Sequence, residues 1–193
     1  MLGSLDGARV LDLYAGSGAV GLEALSRGAE HVLLVEHGAR AARVIRENIE
    51  AIGLPGAVLA ADRVERVLAR GPAPAGASDA SAEGPDASAR ASEVPARTSE
   101  TPAGRQDDPE RGRYDVVFAD PPYALADAAV SQVLSLLAGQ SWLAPGALVI
   151  VERATRSGPV SWPDGFVPDR ARRYGEATFW YGLASASDRE GAR

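Results

Sequence analysis

Apolar residues in this chain fall in short runs set between segments of helical period, and the alternation predicts strands and helices taking turns. Ala8–Leu13 reads as a strand that runs directly into glycines. Ala19–Arg27 reads as a helix stopped at Gly28. His31–Glu36 predicts a second buried strand. Over Ala39–Ile52, the residues Ala42, Ile45, Ile49 and Ile52 recur at three- and four-residue spacing, which predicts a helix with one apolar face. Gly53-Leu54-Pro55-Gly56 breaks it. Ala57–Ala61 predicts a third strand and Val64–Arg70 a short helix.

Residues 71–113 interrupt the pattern. They are Ala, Pro, Ser, Gly, Asp and Glu with hardly a large apolar side chain. Such a stretch cannot bury enough surface to offset the entropy of ordering it, so a disordered insertion is expected there, and a flexible tail over 185–193. The alternation then resumes. Tyr114–Ala119 predicts a fourth strand, and Ala126–Leu137 a helix with Val130, Val133, Leu134 and Leu137 inward. Ala147–Val151 predicts a fifth strand introduced by a Pro145-Gly146 turn. Asp169–Leu183 predicts two further strands, with Thr178-Phe179-Trp180-Tyr181 at the heart of the last. An order of this kind implies an α/β fold, a parallel sheet with helices on both faces. Ligands of such sheets sit beyond the carboxyl ends of the strands, near the point where strand order reverses.

Length and composition narrow the picture. The chain has 193 residues, 46% of them hydrophobic. Without residues 71–113 roughly 150 remain, the size of one α/β domain. No run of about 18 apolar residues occurs, so no membrane span is expected. Met1–Val10 lacks a basic stretch followed by an apolar one, so no signal peptide is expected. Cysteine is absent, which excludes disulfides and thiolate metal sites and fits a cytoplasmic protein. His31 and His37 are the only histidines, so no metal site is expected. The net charge of −6 weighs against nucleic-acid binding. Half of that excess, however, lies within residues 71–113. Every basic residue is arginine.

The first candidate chemistry lies in Asp12-Leu13-Tyr14-Ala15-Gly16-Ser17-Gly18-Ala19-Val20-Gly21, where a strand feeds a glycine turn that feeds a helix. Glycines serve where a backbone turns tightly and a ligand approaches main-chain atoms. Glu36 closes the next strand, where an acid accepts hydrogen bonds from ribose hydroxyls. Gly16, Gly18 and Gly21 also spell the dinucleotide fingerprint, a weak signal by itself. Asp12 discriminates. A carboxylate at that strand end is a poor neighbour for a pyrophosphate and a good one for the ammonium and sulfonium of S-adenosyl-L-methionine. The cofactor set expected is therefore Asp12, Tyr14, Ala15, Gly16, Ser17, Gly18 and Glu36, with His37 at the adenosine edge and Asp62 near the adenine amine. For His37 the alternative is a plain surface histidine. For Asp62 it is a helix cap.

The second is Asp120-Pro121-Pro122-Tyr123, directly after the fourth strand. Two prolines stiffen the backbone and remove two N–H donors, leaving carbonyls and the Asp120 carboxylate as acceptors. Acceptors that hold both hydrogens of an exocyclic base amine favour the charge that develops on nitrogen during methyl transfer. Tyr123 offers a flat face on which a base stacks. These four residues form the expected catalytic set.

Asp12–Gly21 with its continuation Leu22-Glu23-Ala24-Leu25-Ser26-Arg27-Gly28-Ala29, then Val35-Glu36, then Asp120–Tyr123, and finally Tyr174-Gly175-Glu176-Ala177-Thr178 together resemble the RsmD family. These are bacterial methyltransferases acting on guanine N2 of small-subunit (16S) ribosomal RNA. The resemblance spans nearly the whole chain outside residues 71–113. It implies a Rossmann-like fold of seven strands, mostly parallel with an antiparallel last strand, and a single methyltransferase domain over 1–193. It implies S-adenosyl-L-methionine bound by the glycine loop and Glu36, and a target guanine held at Asp120–Tyr123. It also implies 16S rRNA in an assembling 30S particle as partner. This sequence starts at Met1, close to its first strand, without the basic N-terminal segment and Arg-Pro-Thr stretch of the family. That segment contributes to RNA contact, so the chain as written is expected to lack that part of it.

Arg153, Arg156, Arg170, Arg172 and Arg173 cluster after the fifth strand, either facing phosphates or as ordinary surface arginines. Trp142, Trp162, Phe179, Trp180 and Tyr181 are expected to pack in the core. No exposed apolar helix face stands out, so a monomer is expected. Two other functions remain open: an N6-adenine methyltransferase of DNA or RNA, since the same acceptors serve that amine, and a truncated, non-catalytic relative that binds the cofactor alone.

Overall fold

Strand β1 (Arg9–Leu13) is the third strand of a seven-stranded sheet whose order is β3-β2-β1-β4-β5-β7-β6. The structure, a computed structural model, describes residues 4–72 and 112–185. The expected insertion and tail lie outside the described residues, apart from residues 71, 72, 112, 113 and 185. In chain order the elements are β1, α1 (Ala19–Ser26), β2 (His31–Val35), α2 (Ala39–Ile52), β3 (Ala57–Ala60), α3 (Val64–Ala69), β4 (Tyr114–Ala119), α4 (Asp127–Gly139), β5 (Leu143–Ala154), a single 3₁₀ turn (Thr155–Ser157), β6 (Phe166–Tyr174) and β7 (Ala177–Ala184). Strands β1 to β5 pair in parallel, and β7 runs antiparallel to both β5 and β6. This is the α/β sheet that the alternation implied and the Rossmann-like, seven-stranded fold that the resemblance implied.

Side chains alternate across a strand, so each sheet face collects its own core. On one face Leu11, Leu13, Val35, Val117, Val149 and Val151 pack against α3 and α4. The four α4 positions expected inward, Val130, Val133, Leu134 and Leu137, are all buried there. On the other face Val10, Val32 and Leu34 pack against Leu22 and Leu25 of α1 and Ile45 of α2. Strand order reverses between β1 and β4, with β2 and β3 on one side and β5 on the other. The carboxyl ends of β1 and β4 thus open a crevice where such sheets bind ligands.

Three expectations need correction. Ile52 does not join the buried face of α2: only Ala42 and Ile45 are buried, and Ile52 is 45% exposed. A helix of 14 residues is about 21 Å long, whereas the edge strand β3, with 4 residues, spans about 13 Å, so the last turn overhangs the sheet. Pro145-Gly146 is not a turn before β5 but a bulge within it. Tyr114 pairs with Leu143 and Val116 with Leu148, so the extra β5 residues loop out at the Pro145-Gly146 pair. A proline without an N–H is tolerated at such a place. Of the aromatics expected in the core, Trp142 is fully buried and donates its Nε1–H to Leu68 O at 2.9 Å. Trp162, Phe179, Trp180 and Tyr181 are only half-buried, because they lie on or against β7 near the sheet's outer edge.

Candidate active site

The glycine loop leaves β1 through a run of left-handed backbone: φ is 62° at Tyr14, 57° at Gly16 and 79° at Gly18. Glycine adopts such angles at no steric cost at positions 16 and 18, whereas Tyr14 is a non-glycine residue held there, and a side chain added at Gly16 would point into open space. The loop is fastened from several sides. Ala15 N–H donates to Val35 O at 3.0 Å, and Gly18 N–H to Ala15 O at 2.7 Å. Asn48 of α2 donates its side-chain amide to Ser17 O at 2.9 Å. Glu36, buried at the end of β2, accepts from Gly16 N–H at 3.0 Å on one oxygen and from Gly38 N–H at 2.6 Å on the other. The acid expected to meet a ribose therefore also holds the loop against β2.

Asp12 lies beneath this loop and is 2% exposed. Its carboxylate accepts from the Gly21 N–H at 2.9 Å, in the first turns of α1. The contact needs glycine at position 21, since a Cβ there would lie 2.6 Å from Leu34 Cδ2 and 2.7 Å from Val32 Cγ1. Burial pushes the Asp12 carboxyl up to about 7 against the lowering effect of that N–H, and the nearby carboxylates Asp120 and Glu36 push the same way as burial. Tyr14 packs its ring against the core, and burial pushes its phenol up. Its hydroxyl has no hydrogen-bond partner among the described residues.

Beside this loop, β4 ends at Ala119, and Asp120 N–H donates to Leu13 O at 3.4 Å, extending the β1–β4 ladder by one step. Pro121 is buried, and Pro122 O accepts from Leu125 N–H at 2.8 Å, which turns the chain towards α4. Asp120 keeps contact with solvent, and its partial burial at the strand end holds its carboxyl above the ordinary range. Tyr123 is 59% exposed, its ring available for contact.

A cavity of about 350 Å³ joins the two motifs; Tyr14, Glu36, His37 and Asp120 through Tyr123 line it. His37 Nδ1 stands 3.5 Å from a Glu36 oxygen. Ala15, Gly16, Ser17 and Gly18 form the loop next to it. Asp12, buried beneath the loop, and Asp62 both lie outside this lining, and Asp62 has partners of its own. Its carboxylate accepts from Arg63 N–H and from the Arg70 guanidinium, both at 2.7 Å, and lies 3.7 Å from Arg66. The Arg63 N–H first, and then the arginines, hold its carboxyl below the ordinary range. An apolar groove of about 290 Å³ lies on the sheet face beside α1, walled by Val20, Val116, Phe118 and Ile150. Its only charged groups, Glu23 and Arg27, pair with each other, so the groove offers no group poised for chemistry.

Two residues of the site escape sequence reasoning. Glu152 of β5 lies near Asp120, and burial first, then Asp120, raises its carboxyl. With Asp12, Glu36 and Asp120 it makes the strand-end crevice strongly acidic. Arg153, expected from the sequence either to face phosphates or to lie on the surface, is 4% exposed instead. It donates to Leu125 O at 2.9 Å and pairs with Asp127 Oδ1 at 2.7 Å. It thereby clasps the segment that follows Tyr123 to β5. A charged Glu-Arg pair inside an otherwise apolar strand was the one signal that marked both.

Residues 1–76 and 90–182 match the model of a family described as "Conserved hypothetical protein 95". Over 49 residues, 25% of this chain and 27% of the relative, it is 47% identical to the "Putative rRNA methyltransferase YlbH" of Bacillus subtilis (strain 168). Over 159 residues, 80% of this chain, it is 25% identical to "Ribosomal RNA small subunit methyltransferase D" of Escherichia coli (strain K12). The chain spans about 60% of that relative's length. Among solved structures, the "Putative methyltransferase yhhF from Escherichia coli" superposes with a TM-score of 0.69 at 23% identity, covering 95% of this chain and 79% of that one.

Proposed function

The chain belongs to the RsmD family, the family described as "Conserved hypothetical protein 95", and from that premise we propose that it is an S-adenosyl-L-methionine-dependent methyltransferase acting on the exocyclic N2 amine of a guanine in 16S rRNA. The observation that carries the proposal is the cavity that places Tyr14 of the glycine loop and Glu36 at the end of β2 in one lining with Asp120-Pro121-Pro122-Tyr123. The names of the relatives from Bacillus subtilis and Escherichia coli support an rRNA substrate. In this reading the chain acts as a single methyltransferase domain and a monomer, in the cytoplasm, on an assembling 30S particle.

The residues present fit the cofactor. The crevice gathers Asp12, Glu36, Asp120 and Glu152, of which Asp12, Asp120 and Glu152 have raised carboxyl groups. Arg153 is directed away from it, to Leu125 and Asp127. A pyrophosphate would meet only repulsion there, whereas a ligand bearing an ammonium and a sulfonium stabilises the carboxylates. The open space over Gly16 admits a ligand against the backbone. When bound, S-adenosyl-L-methionine supplies a methyl group on a positively charged sulfur.

The protein's own groups do the rest. Asp12 and Glu36 hold cationic and hydroxyl groups at the ends of β1 and β2. Pro121 and Pro122 contribute no N–H donors of their own, and the Pro122 carbonyl is turned to the Leu125 N–H, so the acceptors left facing the cavity go uncontested by the segment's own backbone. Asp120 accepts a hydrogen bond from the target amine, and its raised carboxyl makes it a ready acceptor for the proton that nitrogen gives up as its bond to carbon forms. Tyr123 stacks on the base and fixes the plane in which the amine lies. Because the atoms exchanged are one methyl and one proton, positioning and acceptor placement supply most of the rate, with no covalent enzyme intermediate.

The proposal is tested by tritium transfer from labelled cofactor to 30S particles that lack the modification, followed by nucleoside analysis. Label in N2-methylguanosine supports it. Label in N6-methyladenine reassigns the base, and cofactor binding without transfer to any RNA overturns it.

A further inference from the structure

Tyr123 belongs to two depressions at once. On one side is the acidic cavity that Glu36 and Asp120 line. On the other is a groove of about 270 Å³ lined by Tyr123, Ala154, Thr155, Arg156, Arg173 and Glu176. Building on the methyltransferase reading, we propose that this groove is the phosphate subsite of the RNA, with Arg156 and Arg173 binding the backbone next to the base that stacks on Tyr123.

The walls of the groove are fixed. Thr155 N–H donates to Glu176 O at 2.7 Å, and the Thr155 and Thr178 hydroxyls share a hydrogen bond of 3.0 Å. These bonds tie the 3₁₀ turn after β5 to the turn between β6 and β7. Arg173 donates its Nε–H to Gly175 O at 3.0 Å, which orients its guanidinium. Neither Arg156 nor Arg173 has an ion-pair partner among the described residues, although Glu176 shares the groove. Two other arginines of the cluster are engaged elsewhere. Arg153 is buried in its clasp, and Arg170 pairs with Asp169 and lies over the Tyr181 ring.

Charge therefore changes sign across one tyrosine. Glu36 and Asp120 stand on one side, with Asp12 and Glu152 close by, and two guanidinium groups stand on the other. A nucleotide within RNA has the same polarity, a neutral amine-bearing base joined to an anionic backbone. In a chain of net charge −6, affinity for RNA has to come from such local placement rather than from a general positive field.

The test measures binding of a fluorescein-labelled single-stranded RNA of mixed sequence to the full chain by anisotropy across a salt series. Arg156→Ala/Arg173→Ala is expected to weaken binding and to lower the slope of log Kd against log salt by about 0.7 for each single-strand phosphate that is no longer neutralised. Arg156→Ala alone, which leaves the Arg173–Gly175 bond intact, is expected to lower the slope by about half as much as the pair. Glu176→Gln is expected to tighten binding, because it removes the carboxylate from the groove. S-adenosyl-L-homocysteine affinity is expected to stay unchanged in all three. An unchanged slope in the double variant overturns the inference, as does equal competition by poly-glutamate, which would mark a surface for acidic protein. The two readings fail separately. A lowered slope without methyl transfer to any RNA removes the methyltransferase reading and leaves the groove, whereas transfer with an unchanged slope removes only the groove.

Discussion

Asp12→Asn is expected to make the protein more stable and its cofactor site weaker. In the folded protein the Asp12 carboxyl titrates near 7 rather than at its ordinary 3.8, chiefly because it is buried. Between those two values the folded chain holds a proton that the unfolded chain has already released. Its contribution to stability therefore falls as pH rises through this window and is fully lost above about pH 7. At about 1.4 kcal/mol per pH unit, holding the ionised carboxylate in place above that pH costs about 4 kcal/mol. An asparagine keeps an oxygen for the Gly21 N–H and carries no charge, but buries amide hydrogens at a cost of about 1–3 kcal/mol. The net gain at about pH 8 is then about 2 kcal/mol, a rise of about 5 °C in Tm for a domain of this size. Thermal unfolding of wild type and variant from about pH 5 to pH 8 reads the effect directly. Asp120 and Glu152 remain in both proteins and also titrate high, so the diagnostic quantity is the difference between the two curves. That difference should grow with pH. Affinity for S-adenosyl-L-methionine should fall about tenfold or more in the variant, the size of one charge-assisted hydrogen bond. A variant that melts at or below the wild-type temperature at about pH 8, with a parallel pH profile, would refute the claim that Asp12 is an ionised group held at the expense of stability.

Two further substitutions probe the frame around the site. Gly21→Ala puts a carbon 2.6 Å from Leu34 Cδ2 and should lower stability in urea unfolding by about 1–3 kcal/mol. It should also weaken cofactor binding, because the Gly21 N–H moves away from Asp12. Arg153→Met removes the clasp on Leu125 O and Asp127 while keeping bulk in β5. It should cost about 1–3 kcal/mol of stability and raise the KM for RNA with little change in cofactor affinity. Asp127→Asn leaves the Leu125 bond in place, and its effect on both should be smaller.

The parts of the site that could be read in the sequence are those written in consecutive residues. The glycine loop and Asp120–Tyr123 each carry their geometry locally: left-handed backbone at Gly16 and Gly18, and missing N–H donors at Pro121 and Pro122. Their order along an alternating chain then placed them on adjacent strand ends, because parallel sheets of this topology leave few alternatives. What could not be read depends on residues distant in the chain. The role of Arg153 is set by Leu125 and Asp127, which meet it only once β5 and α4 pack together. The acidity around Asp120 includes Glu152 because β4 and β5 are neighbours, a fact of sheet order rather than of local pattern. Helical period put Ile52 on the right face of α2, but it carries no information on how far β3 extends beneath it. Pro145-Gly146 has the chemistry of a turn, and it also serves a bulge inside a long strand. The surroundings of Asp62 were only partly legible: Arg63 is its neighbour in sequence, but Arg66 and Arg70 reach its carboxylate only through the fold of α3.

In the proposed function two neighbouring strand ends divide the labour, one holding the methyl donor and the other the amine. Measuring Asp120→Ala in parallel for cofactor affinity by calorimetry and for methyl transfer to 16S rRNA by nucleoside mass spectrometry tests that division most directly. The expected result is no N2-methylguanosine from the variant, with cofactor affinity within a few-fold of wild type. Transfer at the wild-type rate, or cofactor affinity lost together with transfer, would contradict it.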